Sequence, residues 1–422
     1  MSAILVVGTG DARDHAVYAR LVAEGARVEL ALLGDNALLA REPFVRRVAD
    51  LDEVVALARR GDFDLAVVQR PELLFAGAAD RLAAAGVRVF GPDLRAADLE
   101  QSKVAAKDFM RRHGVQTPGS ETFSRPEDAV AFLRRAWSPR ARFVVKSDRY
   151  LSDAALRTQV PRELDEAIDA VERLAHAPEA RGSAILVERR VDGPESSVHV
   201  LLDRDVFSLA PPVRDYKALL DGDAGPNTHG MGAVAGGAFP EDELALLEER
   251  VLAPTRRGLR AEDRAYRGVL YVGIVWTREG PVALEYNVRP GNPEWVALLP
   301  LLASPLADVL RGTAAPRWHL DRAVGCAFCT VPGYPLVRHR HGAPLRGLGD
   351  VPAEVTVLGE GVRGDDVLVA GEGRSLCVRA EGPSVARMRE HLYRGVSALS
   401  FPGMHYRTDI GLEAGVARAE AS

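Results

Sequence analysis

Cysteine, tryptophan and methionine are scarce, with 3, 4 and 5 copies in 422 residues. Three cysteines cannot build a disulfide framework. Cys326 and Cys329 form C-x-x-C, but "VGCAFCTV" reads as a strand, where residues three apart point to opposite faces, so neither a dithiol nor a metal clip is expected. Charge of one sign is also lacking: 54 basic against 59 acidic residues leave a net charge of -5. No Lys/Arg block stands out, which argues against a nucleic-acid partner. Long hydrophobic runs are absent. The first, Ala3 to Val7, stops at Gly8, too short for a secretory core or a membrane span, so a cytoplasmic protein without membrane partners is expected. There is no internal repeat and no low-complexity segment.

What is present is a globular composition, 47% hydrophobic and 27% charged. The length predicts two to four domains. Up to about residue 92, short apolar runs ("AILVVG", "RVELALL", "DLAVV", "VRVFG") alternate with helix-like segments such as Ala12–Glu24 and Leu73–Ala85, the pattern of a parallel sheet with crossover helices. The first turn, "GTGDARDHA", supplies Gly8 and Gly10 but has Arg13 in place of a third glycine. It is weak as a nucleotide fingerprint, yet it delivers a Gly-rich turn to a helix N-terminus, where backbone N–H groups can hold an anion. Further helices are expected over Leu94–His113, Glu163–His176, Glu241–Arg257 and Ser384–Leu399, with strands "FVVK", "AILVE", "GVLYVGIVW" and "PVALEYNV". From Gly325 onward a Gly- and Val-rich stretch reads as antiparallel. The segment "DYKALLDGDAGPNTHGMGA", Asp215–Ala233, has no apolar period and reads as a long irregular loop, of a length that usually serves function.

The sharpest local pattern is "ALEYNVRPGNPE". In a strand, Glu285, Asn287 and Arg289 share one face. A carboxylate and an amide oxygen at that spacing suit Mg2+, and the arginine suits an anion. An edge strand with its polar face in water fits equally. Lys103 on a helix, Lys146 ending "FVVK", Glu188 at a strand end and Glu195 beyond a turn each read alone as solvated surface. In this order, ahead of Glu-x-Asn-x-Arg, they form the ATP-grasp arrangement.

With these residues, the sequence resembles the glycinamide ribonucleotide synthetase (phosphoribosylamine-glycine ligase) family nearly end to end. The likeness is carried by "GPDLRAADLEQSKVAAKDFMRRHGV", "VVKSD", "LVERRVDGPESS", the Asp215–Ala233 stretch, "LEYNVRPGNPE", "PGYP" and "SFPGMHYRTDIG". It implies an α/β fold: an N-terminal doubly wound, biotin-carboxylase-N-like substrate domain (1–102), an ATP-grasp small lobe with a linker helix (103–190), a large lobe carrying the substrate loop (191–322), and a mostly β C-terminal domain (323–422). It implies a ligase that joins a small amino acid's carboxylate to an amine with ATP and Mg2+ (or Mn2+), through an acyl phosphate, as a monomer or homodimer. Lys103 and Lys146 would neutralise phosphates, Glu188 and Val191 bracket adenine, Glu195 bind ribose, and Glu285 with Asn287 hold the metal. Gly8, Gly10 and Arg13 would face the amine substrate. Asp215, Lys217, Asp223, Asn227, Thr228, His229, Met231, Arg289 and Gly291 would surround the reacting groups, with Lys146, Arg289 and Asp215 in catalytic roles.

Four departures from the family pattern fall on ligand loops. No glycine occurs from Ser147 to Val160, where the family has a Gly-rich phosphate loop. Asp11 and Ala12 stand where the first turn has two glycines, and "QRPELL" replaces Gly-Pro-Glu after "DLAVV". His229 replaces a glycine, and Pro290-Gly291-Asn292 replaces Phe-Gly-Asp. The expectation is a relative with the same acyl phosphate chemistry and an altered amine substrate, in specialised metabolite biosynthesis. The alternatives are authentic phosphoribosylamine-glycine ligation in purine biosynthesis, or a non-catalytic nucleotide-binding protein on the same fold. For His229, a steric and hydrogen-bonding role is preferred over that of a base.

Overall fold

The computed structural model describes residues 2–151, 154–204, 206–337 and 341–412. The four apolar runs of the N-terminal region form strands β1 (Ala3–Gly8), β2 (Val28–Leu32), β4 (Phe63–Val68) and β5 (Arg88–Phe90), and the short segment Val45–Arg47, which has no apolar pattern, adds β3. They make one parallel sheet in the order β3-β2-β1-β4-β5. Helices α1 (Ala12–Ala23) and α2 (Leu51–Arg60) cross between strands, each N-capped by an aspartate, Asp11 or Asp50. Strand order reverses between β1 and β4. A crevice outside the carboxyl ends of strands at such a switch point is where an open parallel sheet takes its ligand.

Two helices expected to be continuous are broken. Leu73–Ala85 divides into α3 (Pro71–Phe75) and α4 (Ala78–Ala84). Leu94–His113 divides at Ser102 into α5 (Leu94–Gln101) and α6 (Lys103–His113). Ser102 is extended, and its side chain accepts from Ala105 N, so a local cap competes successfully with helix continuation. The break puts Lys103 in the first turn of a new helix.

The small lobe is a four-stranded sheet, β6 (Ser120–Phe123), β7 (Phe143–Ser147), β8 (Thr158–Gln159) and β9 (Ile185–Arg189), ordered β6-β9-β7-β8. Helix α7 (Pro126–Ala136), the short α8 (Ala154–Arg157) and α9 (Leu164–His176) accompany it, and its core is separate from the others. Ser152 and Asp153, within the glycine-free stretch, lie outside the described residues.

Beyond it come β10 (Glu195–Asp203), β11 (Val206–Leu209), β12 (Val213–Asp215), β13 (Ala218–Leu220), β14 (Ala224–Asn227), β15 (Gly232–Gly236), β16 (Arg267–Thr277) and β17 (Gly280–Asn287). The Asp215–Ala233 stretch is therefore not an irregular loop. Strands β13 and β14 pair as an antiparallel ribbon, and the C-terminal segment clasps its tip. Gly222 N donates to Asp409 Oδ2 at 2.8 Å, Thr408 N to Asp221 Oδ1 at 2.9 Å, and Arg407 to Asp223 at 2.8 Å. Partners remote in sequence thus satisfy backbone that has no local pattern. The helix expected over Glu241–Arg257 runs on to Ala261, as α10 (Glu241–Leu247), a π turn and α11 (Ala253–Ala261). Pro254 lacks the N–H that Arg250 O would accept, and Gln116 N takes that carbonyl at 3.0 Å.

Helices α12 (Glu294–Leu298) and α13 (Leu306–Arg311) lead to β18 (Ala323–Thr330), β19 (Ala343–Pro344), β20 (Val355–Gly359), β21 (Val362–Arg363), β22 (Val369–Ala370), β23 (Arg374–Gly382) and α14 (Val385–Ala398). Strand β15 pairs with β18, so one sheet ordered β17-β16-β10-β12-β15-β18-β23-β20 runs from the large lobe into the C-terminal part. Cys326 and Cys329 lie on opposite faces of β18, buried in different cores. Among the described residues no helix is long and apolar enough to cross a membrane.

Candidate active site

The cleft between the small lobe and β17 is built on lysines. Lys146, at the end of β7, donates to Glu188 Oε1 of β9 at 2.6 Å, and Lys107 of α6 reaches the same carboxylate. All three groups are buried. Lys107 was not among the expected site residues. The pattern that could have found it is its spacing from Lys103, four residues on along one helix face. Glu188, expected beside adenine, holds two ammonium groups. Burial opposes its ionisation, but Lys146 and Lys107 overcome that and hold its carboxyl below the usual range. Two lysines sharing one glutamate leave a surplus charge, and burial pushes Lys107 down to about 8. Val191 is half-buried in the link to β10, and Glu195 is exposed, with Lys217 Nζ at 3.5 Å.

Lys103 donates to Glu285 Oε2 at 2.7 Å. Burial works against the Glu285 carboxylate, yet Lys103, Lys146 and Lys217 together hold it far below its ordinary value. Asn287 Oδ1 accepts from Arg289 Nη2 at 3.2 Å. Among the described residues no group of three or more His, Cys, Asp and Glu could form a metal centre. A carboxylate that already binds a cation, next to an amide oxygen, suits a hard ion that keeps most of its shell for phosphate and water. With three lysines for a polyphosphate, the residues fit ATP with a divalent metal.

A second cavity, roughly 160 Å³, adjoins this cleft below the carboxyl end of the N-terminal sheet. It brings together Arg13, Asp215, Lys217, Thr228, His229 and Arg289, together with Glu285, Asn287 and Gly291. It leaves out five expected residues. Asp223 sits at the ribbon tip, bound by Arg407, and Asn227 faces a separate groove beside α9. Met231 is fully buried, its backbone paired with Tyr216 and Phe328. Gly8 and Gly10 form the first turn without reaching the cavity wall, with the Asp14 side chain packed over Gly8 and Leu32 and Asn36 over Gly10. Asp14 Oδ2 accepts from Thr9 N at 3.0 Å and Gly10 N at 3.1 Å.

Residues that sequence reasoning missed add to the wall, Glu294, Arg374, Arg70 and Tyr150, and so does Arg157, which the sequence offers with Arg149 in place of the missing phosphate-loop glycines. Arg157, in the glycine-free stretch, stacks over the Tyr150 ring at 4.2 Å, while Arg149 is exposed. Arg289 is fixed by Glu100, a buried carboxylate that accepts from its Nη2 at 2.9 Å and Nε at 3.1 Å. Among the described residues Asp215 Oδ1 has no hydrogen-bond partner, and burial, then the charge of Glu294, push its carboxyl well above the usual value. Gly230, at φ 100°, approaches so closely that a Cβ would lie 2.8 Å from that oxygen and 2.4 Å from Pro293, so only glycine fits. His229 donates its N–H to Tyr334 Oη at 3.2 Å, and its carbonyl accepts from Arg374 at 2.7 Å.

At the first turn, two of the departures touch each other. Asp11 Oδ2 accepts from Arg70 Nη1 at 2.6 Å and from Arg13 Nη2 at 2.9 Å. Burial resists the Asp11 charge, but the two guanidiniums hold its carboxyl far below the usual range. The neighbouring Asp14 is pushed up to about 7 by burial and by the Asp11 charge. A folded-state value above the ordinary 3.8 means stability that is complete below that value and lost as pH rises through about 7. Asp14→Asn is expected to gain on the order of 4 kcal/mol relative to the parent as pH is raised from about 4 to about 8. Urea unfolding across that range measures the difference, and parallel curves would refute it.

Two lobes closing on lysines and a carboxylate–amide pair, beside a doubly wound domain, define an ATP-grasp ligase that forms carbon–nitrogen bonds. The chain matches the phosphoribosylglycinamide synthetase N domain over residues 2–100, its ATP-grasp (A) domain over 101–295 and its C domain over 324–413. It is 33% identical to phosphoribosylamine–glycine ligase of Chlorobaculum tepidum, over 97% of this chain and 99% of that one. It therefore belongs to the phosphoribosylglycinamide synthetase family. It is also 33% identical to the trifunctional purine biosynthetic protein adenosine-3 of Homo sapiens, of which it spans 42%. The crystal structure of phosphoribosylamine–glycine ligase from Thermotoga maritima superposes with a TM-score of 0.83 at 27% identity, covering 97% of this chain and all of that one.

Proposed function

We propose that the chain joins the carboxylate of a small amino acid to an amine through an acyl phosphate, at the expense of ATP and with Mg2+. The observation that carries this reading is the junction of the two cavities at β17, where Glu285 and Asn287 lie beside the Glu100-braced Arg289. When bound, ATP with its metal supplies the phosphoryl group that activates the carboxylate. Lys103 and Lys146 then offset phosphate charge, and Arg289 orients the carboxylate. In the second step the amine nitrogen bonds to the acyl carbon, the carbon–oxygen bond to phosphate breaks, and inorganic phosphate leaves. Asp215, with its raised pKa and open oxygen, accepts the proton the amine loses.

The named relatives make phosphoribosylamine with glycine the first pair to assay. The Asp11–Arg70 contact at the first turn supports the other reading, an amine that differs from phosphoribosylamine. Release of ADP is expected only when a carboxylate and an amine are both present. No ADP with any pair in a broad panel, combined with calorimetric ATP binding, would instead identify a nucleotide-binding protein that does not catalyse.

A further inference from the structure

We propose that Glu360 fills the anion site of the amine pocket, so that the amine substrate carries no phosphate; this rests on the ligase reading above. The N-terminus of α1 opens on the β1/β4 switch point, where backbone N–H groups and the helix dipole favour an anion. The chain's own carboxylates already use those donors. Ala12 N donates to Glu360 Oε2 at 2.6 Å, Asp14 N to Asp11 Oδ1 at 2.9 Å, and Thr9 N and Gly10 N to Asp14. Glu360 directly follows β20 and comes from the far end of the chain, with only 12% of its side chain exposed. Arg374 donates to Glu360 Oε1 through Nη2 at 2.6 Å and Nε at 3.1 Å, and Asn292 Nδ2 approaches both oxygens at 3.3 and 3.4 Å.

A helix N–H, a guanidinium fork and a carboxamide together are a donor set suited to a phosphate. A carboxylate in that place uses the donors and repels a second anion. Arg374 cannot swing to another partner, because it is buried and its Nη1 is bound to the carbonyls of His229 and Gly230. The departures from the family pattern agree with this. Asn292 stands where the pattern has an acid, and an aspartate there would oppose Glu360, whereas asparagine donates to it. Asp11 and Arg70, 59 residues apart, are both departures, and they satisfy each other across the crevice.

Calorimetric titration of the full chain with inorganic phosphate and ribose 5-phosphate, with ADP filling the nucleotide cleft, tests the inference. The wild type is expected to bind neither appreciably. Glu360→Gln and Glu360→Ala should each gain at least about tenfold in phosphate affinity, and the gain should vanish in Glu360→Gln combined with Arg374→Gln. Glu360→Gln preserves volume and decides the matter if the alanine variant unfolds. A folded Glu360→Gln without the gain, or submillimolar ribose 5-phosphate binding by the wild type, overturns it. The ligase reading fails separately. No ligation with any pair would remove that reading and leave the phosphate result standing, whereas efficient ligation of phosphoribosylamine would overturn this inference alone.

Discussion

Glu285→Gln is expected to lower kcat/KM for ADP release by about a thousandfold or more, with the fold intact. The substitution keeps shape and removes the charge at the junction of the two cavities. A loss of roughly 4 kcal/mol of transition-state stabilisation corresponds to that factor, an ordinary size for removing a preorganised electrostatic contact. Lys103 loses its partner at the same time, but its ammonium lies at the cleft edge, where water can replace part of the contact. The folding cost should therefore be small, and thermal unfolding checks it. An ADP-coupled assay over a range of Mg2+ concentrations measures the effect. Turnover within tenfold of wild type would mean that Glu285 has no part in holding the metal.

The largest effect on stability is expected at Glu188. Glu188→Gln would leave Lys107 and Lys146 buried without a counter-ion, and removing one partner of a buried ion pair costs about 3–5 kcal/mol. The sign of the pH dependence distinguishes this cause from a packing defect. In the wild type the lowered Glu188 pKa contributes stability above the ordinary 4.5 and loses it as pH falls. In the variant the penalty comes from lysine charge, and burial already pushes Lys107 down to about 8 in the folded protein. The defect should therefore shrink as pH rises from about 7 to about 9.5, when the buried ammonium can lose its proton. Denaturant unfolding at the two pH values checks this. A loss below about 1 kcal/mol at neutral pH, or one independent of pH, would show that the lysines do not depend on Glu188 for their charge.

Much of the molecule was legible from short-range pattern. Four of the five parallel strands, α1, α9, α14 and the separation of Cys326 from Cys329 on one strand all follow from apolar period and capping residues within a few positions, whereas β3, with two arginines in three residues, carries no such period. So does the shared face of Glu285, Asn287 and Arg289. Resemblance supplied the order of Lys103, Lys146, Glu285 and Asn287, and the structure gathers them around adjoining cavities. The break at Ser102 was missed because its cap is a contest between one hydroxyl and one turn of helix, which composition alone does not settle.

The sequence by itself determined the strands and helices that carry an apolar period, and which side chains carry charge, because those depend on neighbours along the chain. Only the tertiary structure decided how the charges are spent. Glu188 serves two lysines, Asp11 meets Arg70, the Asp215–Ala233 stretch becomes a clasped ribbon, and Glu360 crosses from β20 to the first turn of α1. Each of these contacts joins residues that the chain separates widely and that sheet pairing and burial bring together. In a dry interior a carboxylate is stable only with partners, so packing, not local sequence, selected which partner each one has.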